Sequence, residues 1–178
     1  MGTTDGNPDK REAFAELYNE FLPRVFRYIR YRVNSQQVSE DLTSVVFEKA
    51  LVSFERYSSD RASFSTWLFT IARNVIIDHF RARGRRPQLS LEASQIDIAS
   101  GEGSPAELAE KKEEQARLQQ ALARLAPQEQ DIISLKFASG LNNREIARAL
   151  GISESNVGTR LYRTVRKLRD IFQEMENA

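Results

Sequence analysis

Nearly every patterned stretch of this chain repeats its apolar residues at the three-to-four-residue spacing of an amphipathic helix, and that period constrains the fold more than any other feature. Phe14, Leu17, Tyr18, Phe21, Val25 and Ile29 mark a first helix, with Pro23 placed to kink or restart it. Asn34 and Ser35 supply a stop and a cap. Val38, Leu42, Val46, Ala50 and Phe54 mark a second helix from about Gln36 to Phe54, whose other face carries Glu40, Asp41, Ser44 and Glu48. After a loop over residues 55–63, Ser63 is placed to cap a third helix whose stripe of Phe64, Trp67, Leu68, Ile71, Val75 and Ile76 reads as core.

The pattern then lapses. Residues 87–106 hold no aromatic side chain, contain Pro87, Gly101, Gly103 and Pro105, and read as a linker. Charge divides at the same place. The whole chain carries 26 Lys and Arg against 25 Asp and Glu, a formal charge of +1. Residues 1–86 hold 14 bases and 11 acids, residues 87–114 hold 2 and 7, and residues 115–178 hold 10 and 7. The near-neutral total therefore hides two basic parts and an acidic connector. The expected fold class is all-α: a helical domain over residues 10–86, a flexible acidic linker over 87–106, and a four-helix domain over 107–174. With no Cys and only His79 among the histidines, disulfides, thiol nucleophiles, Cys zinc sites and multi-histidine metal sites are excluded. No apolar run approaches the ~18 residues that span a bilayer, and residues 1–10 are polar, so a soluble, cytoplasmic protein without membrane insertion is expected.

Two features point to nucleic acid. From Arg73 to Arg86 there are five Arg and one acid, with Arg81, Arg83, Arg85 and Arg86 at the helix end. Such clustering suits phosphate contacts, although the helix dipole also favours bases there. The second feature is stronger. A helix from about Ala106 to Leu125 precedes Pro127, which opens PQEQDIISLKF, and Gly140 closes that segment. Asn142 and Glu145 have the form of a capping box for a short helix ending at Leu150, Gly151 breaks the pattern, and Ser153 caps a helix to about Phe172. Ile146, Ala147, Leu150, Ile152, Val157 and Leu161 fit the inner face of a helix-turn-helix. On its second helix Ser155, Asn156, Thr159, Arg160, Arg163, Arg166 and Lys167 face outward, and Arg160 to Arg169 holds five bases and no acid.

Taken in order, SEDLTSVVFEKAL, FSTWLFTIARNVIIDHFRARGRR and NNREIARALGISESNVGTRLYRTVRKLR resemble the extracytoplasmic-function (ECF) group of bacterial RNA polymerase sigma factors, over about residues 10–86 and 107–172. The resemblance implies a specificity subunit with no enzymatic chemistry, catalytic residue, metal or cofactor, which binds core RNA polymerase and promoter DNA and is a monomer when free. An anti-sigma factor is a further partner that it implies. Glu40, Asp41, Leu42, Ser44 and Glu48 would dock on the polymerase, with Ser44 and Val45 standing where the family has Gln and an acid. Tyr57, Arg61, Arg73, Asn74, Arg81 and Arg83 would serve the -10 element: Asn74 at a base edge, Arg73, Arg81 and Arg83 at phosphates, the loop from Tyr57 to Ser63 around an extruded base. His79 reads as a surface or phosphate-contacting residue.

At the -35 element Asn156, Thr159 and Arg160 would meet base edges, and Arg163, Arg166 and Lys167 phosphates, with Ser155 beside them. Gly158 and Thr164 stand where the family has a base and an Ala. The 28 residues from Pro87 to Glu114 extend at most ~95 Å, and a coil of that length averages about 30 Å. Promoter elements two helical turns apart lie ~70 Å apart, so an outside scaffold must hold the domains there. A stand-alone helix-turn-helix regulator is the alternative function.

Overall fold

Side-chain caps set the helix boundaries. The computed structural model describes residues 8–33, 35–84 and 104–177. Helix α1 spans Pro8–Arg32 without interruption, so Pro23 does not restart it. Ser35 Oγ accepts the Val38 N–H and opens α2, Gln36–Ser53. A 3-10 turn at Phe54–Arg56 leads to the loop, and Ser63 Oγ accepts the Thr66 N–H to open α3, Phe64–Ala82. Asn34, Arg85 and Arg86 lie outside the described residues.

Helix α4 spans Pro105–Ala123, with Ser104 and Glu107 closing a reciprocal capping box. Residues 104–106 of the expected linker are thus the cap and first turn of a helix, and residues 87–103 lie outside the described residues. Because residues 105–114 are helical, they add about 15 Å of reach rather than ~34 Å, and the extended span falls from ~95 to about 75 Å. Helix α5, Pro127–Ile133, continues through a π-helical turn at Ser134–Ala138. Helices α6, Asn143–Leu150, and α7, Glu154–Glu176, complete the chain.

Helices α1, α2 and α3 pack on one another, α7 packs on both α5 and α6, and the two groups also meet. Helix α1 lies against the π-helical turn and α3 against α6, and one cluster of buried apolar side chains runs from Phe14 to Ile171. The expected α3 stripe was too narrow. Phe69, Ala72 and Phe80 are buried as well, and α3 packs against α1, α2 and α6. Trp67 and Ile71, expected in the core, are only half-buried at its margin. Among the described residues no helix is long and apolar enough to cross a membrane.

Candidate nucleic-acid and polymerase interfaces

The helix-turn-helix forms as its spacing requires. Asn142 Oδ1 accepts the Glu145 N–H at 2.9 Å while Glu145 Oε2 accepts the Asn142 N–H at 3.0 Å. Gly151 turns the chain at φ +67°, in the left-handed region that a side chain disfavours. Ser153 Oγ then accepts the Asn156 N–H at 3.2 Å to start α7. Ile146, Ala147 and Val157 are buried, and Leu150, Ile152 and Leu161 pack at the core's edge.

The outward face of α7 carries every residue expected there: Ser155, Asn156, Thr159, Arg160, Arg163, Arg166 and Lys167 are all exposed. Thr159, Arg163, Arg166 and Lys167 line one open groove of about 490 Å³ with Tyr162 and Asp170. Arg160 Nε donates to Asn156 Oδ1 at 2.9 Å, which couples two of the base-edge candidates. Lys167 Nζ sits 2.7 Å from Glu129 of α5, and the Arg166 guanidinium lies 5.9 Å from the centre of the Tyr162 ring. Exposed pairs of this kind exchange readily for phosphate. Thr164, in place of an Ala, is buried and donates to the Arg160 carbonyl at 2.8 Å, so its hydroxyl is satisfied within the helix. At Gly158 an added Cβ would meet nothing within 4 Å, so no contact within the chain requires the glycine.

The residues expected at the -10 element divide between two sides of α3. Asn74 and Arg81 line a cleft of about 480 Å³ with Lys49 and Ser53 of α2 and with Ile71, Ile77 and Asp78. Arg81 also pairs with Asp78 at 3.3 Å. Arg73 instead reaches the C-terminal helices, with Nε 3.1 Å from Asp131 Oδ2. Arg83 is exposed at the end of α3, and Arg61 is exposed on the loop. Tyr57 is half-buried: its ring centroid is 6.0 Å from that of Phe54 and 5.0 Å from that of Trp67, and its hydroxyl donates to the Ala62 carbonyl at 3.2 Å. It braces the loop through contacts with neighbouring rings. His79 is half-buried against Phe80, and burial together with the nearby Arg83 charge pushes its pKa below the usual histidine range. A ring held neutral would meet a phosphate as an N–H donor rather than as a charge.

On α2, Glu40, Asp41, Ser44 and Glu48 are exposed, but Leu42 is buried and faces the core. The helical period explains it, since Leu42 belongs to the apolar stripe with Val38 and Val46. Glu40 and Ser44 border an apolar groove of about 380 Å³ with Leu22, Pro23 and Phe26 of α1, and Thr43. Val45, where the family has an acid, is packed against the core.

Sequence reasoning missed the polar seam between the two groups of helices. Asp131, Arg32 and Arg24 belong to it, as do Glu145 and its partners Ser63 and Ser65. One signal was available: Arg32 follows Val25, Tyr28 and Ile29 on the buried face of α1, and a buried guanidinium calls for an acceptor.

The fold and the exposed basic helix define a helical DNA-binding protein with a helix-turn-helix in its second half. The Sigma-70 region 2 family matches residues 17–86, and the Sigma-70, region 4 family matches residues 115–168. Among curated relatives, the ECF RNA polymerase sigma factor BldN of Streptomyces coelicolor is 37% identical over 88% of this chain, which spans 59% of BldN's length. SigX of Bacillus subtilis is 32% identical over 89% of this chain and 82% of its own length, and RpoE of Cereibacter sphaeroides is 31% identical over 88% and 84%. This chain belongs to the ECF sigma factors.

Two solved structures share its fold. Bartonella quintana RpoE in complex with the anti-sigma factor NepR has a TM-score of 0.72 at 20% identity, covering 91% of this chain and 98% of that one. CnrH in complex with the cytosolic domain of CnrY has a TM-score of 0.66 at 24% identity, covering 92% and 90%.

Proposed function

We propose that this chain directs core RNA polymerase to particular promoters, reading the -35 element with α7 and opening the -10 element with the α2–α3 side of the N-terminal helices. The observation that carries the proposal is the outward face of α7. It is an exposed row of Asn156, Thr159, Arg160 and Arg163 on a capped helix-turn-helix, in one chain with a second helical unit that presents Asn74 and Arg81 in a cleft. Base-edge contacts from the first four or five outward residues of a recognition helix give discrimination, and the bases further along give register.

The exposed acids Glu40, Asp41 and Glu48 of α2, beside the apolar groove at Pro23 and Phe26, are assigned to core polymerase. The protein acts in the cytoplasm, where polymerase and promoter are, and contributes specificity and duplex opening rather than bond chemistry. An anti-sigma factor covering the α2 and α7 faces is the further partner assigned.

The isolated chain is expected to bind promoter DNA weakly with a steep salt slope, and the polymerase-bound chain to bind it selectively. Gel-shift titrations with and without core polymerase separate the readings. Tight, sequence-selective binding by the chain alone, as a dimer, would favour a stand-alone regulator.

A further inference from the structure

We propose that Asp131 latches the two helical units of the free chain together and, by holding Arg73, keeps this one of the -10 candidates from DNA until the units part. The latch stands on geometry alone; its consequence for the -10 element rests on the promoter reading given above.

Asp131 sits on α5, with its side chain nine-tenths buried, and both of its carboxylate oxygens are taken by arginines of the other unit. Arg32 Nη1 donates to Oδ1, and Arg73 Nε donates to Oδ2 at 3.1 Å. Arg32 is 1% exposed and also donates to the Pro127 carbonyl at 3.3 Å. Two further links flank this triad. Arg24 donates through Nε and Nη2 to the Ser139 carbonyl at 3.0 and 2.6 Å, with its guanidinium 4.6 Å above the Phe21 ring. Ser63 and Ser65, at the start of α3, both donate to Glu145 Oε1, at 2.9 and 2.5 Å.

In each link the N-terminal unit gives a cation or a hydroxyl and the C-terminal unit gives a carboxylate or a carbonyl. The seam therefore offers α3 what a nucleic-acid backbone would offer it, anionic oxygens for Arg73 and acceptors for Ser63 and Ser65. Part of the -10 assignment is affected: Arg73 is held, and so is Ser63, which closes the loop that begins at Tyr57, while Asn74 and Arg81 stay open in their cleft. The -35 face is not covered, because the outward residues of α7 stay exposed in the closed chain.

The same chemistry makes the latch releasable. Buried ion pairs return little net stability, because separation rehydrates every charge. The seam is also incompletely satisfied: Tyr28 Oη and Arg32 Nε are buried and find no hydrogen-bond partner among the described residues. A partner that supplies a phosphate to Arg73, or holds the units apart, competes against a contact of modest depth.

The chain has no Cys, so Leu51→Cys on α2 and Arg169→Cys on α7, both exposed positions, take spin labels without interference. Double electron–electron resonance on the full chain should give one narrow distance distribution with Asp131 and a longer, broader one with Asp131→Asn, at unchanged helical content by circular dichroism. Binding of a randomised single-stranded DNA pool should strengthen about tenfold in the variant, the factor lost when only one chain in ten is open. Glu145→Gln leaves the buried triad intact, keeps the α6 cap and removes the charge facing Ser63 and Ser65, so it should shift both readouts in the same direction even if Asp131→Asn folds poorly. Unchanged distances in both variants would overturn the latch. Opened distances with unchanged single-strand binding would overturn its masking of Arg73. Opened chains that bind no single-stranded DNA at all would instead count against the promoter reading and leave the latch standing.

Discussion

Arg160 and Asn156 stand one turn apart on the outward face of α7, and the bond between them fixes the guanidinium by its Nε, leaving the two Nη groups free for a bidentate contact with a base edge. Arg160→Ala is expected to cost about 1–3 kcal/mol of discrimination at one -35 position. Asn156→Ala should cost part of this at the same position, and the double variant no more than Arg160→Ala alone. A promoter-mutation scan of the three holoenzymes checks it; uniform loss at every position would make Arg160 a phosphate contact. His79 gives a pH prediction. Its pKa is held down by burial and by Arg83, so the unfolded chain takes up the proton first. Stability is full above the ordinary histidine range near 6.5 and falls as pH drops through it toward the lower folded value. Thermal melts from pH 8 to 5 should show this slope, and His79→Gln should flatten it. The exposed residues of α7 were legible in the sequence because charge and period agree there. Asp131 was not, since it lies one residue from Ile132 in a run whose period marks a buried face without naming what lies across it.

Among the elements, the caps were the most legible features, because each depends on residues three or four apart. Ser35, Ser63, Asn142 and Ser153 all cap where their spacing placed them. Two glycines seven positions apart then make opposite predictions. Gly151 holds φ +67°, so Gly151→Ala should destabilise the helix-turn-helix by about 1–2 kcal/mol. Gly158 lies within α7 with open space around it, so Gly158→Ala should stabilise the fold by up to ~1 kcal/mol. Chemical denaturation of both variants checks the signs. Loss of -35 binding by the stabilised Gly158→Ala chain would show that the glycine serves a close approach of backbone to DNA. The breadth of the α3 core was less legible: Phe69, Ala72 and Phe80 are buried beside the expected Phe64, Leu68, Val75 and Ile76, and Phe69 packs edge-on against Tyr28 of α1.

At the scale of the whole molecule, the sequence showed two basic parts separated by an acidic stretch, and the structure adds that the two helical groups share one core and a polar seam. That contact was not legible, because periodicity reports which side of a helix is apolar and says nothing about which distant helix covers it. Its functional meaning is that the parts of a promoter reader are present in the free chain but not laid out for a promoter. The face of α7 proposed for the -35 element is exposed, and Arg73, proposed for the -10 element, is engaged by the chain's own C-terminal unit. Core polymerase is the scaffold that would set the two faces at promoter spacing. The central claim is therefore that this chain confers promoter selectivity on core polymerase, and in vitro transcription tests it most directly. Purified core polymerase and this chain, supplied with a randomised promoter library, should yield transcripts enriched for one pair of sequence elements at fixed spacing, and Arg160→Ala should relax selection at the upstream element only. Transcription no different from that of core polymerase alone, from a chain shown to be folded, would contradict the account.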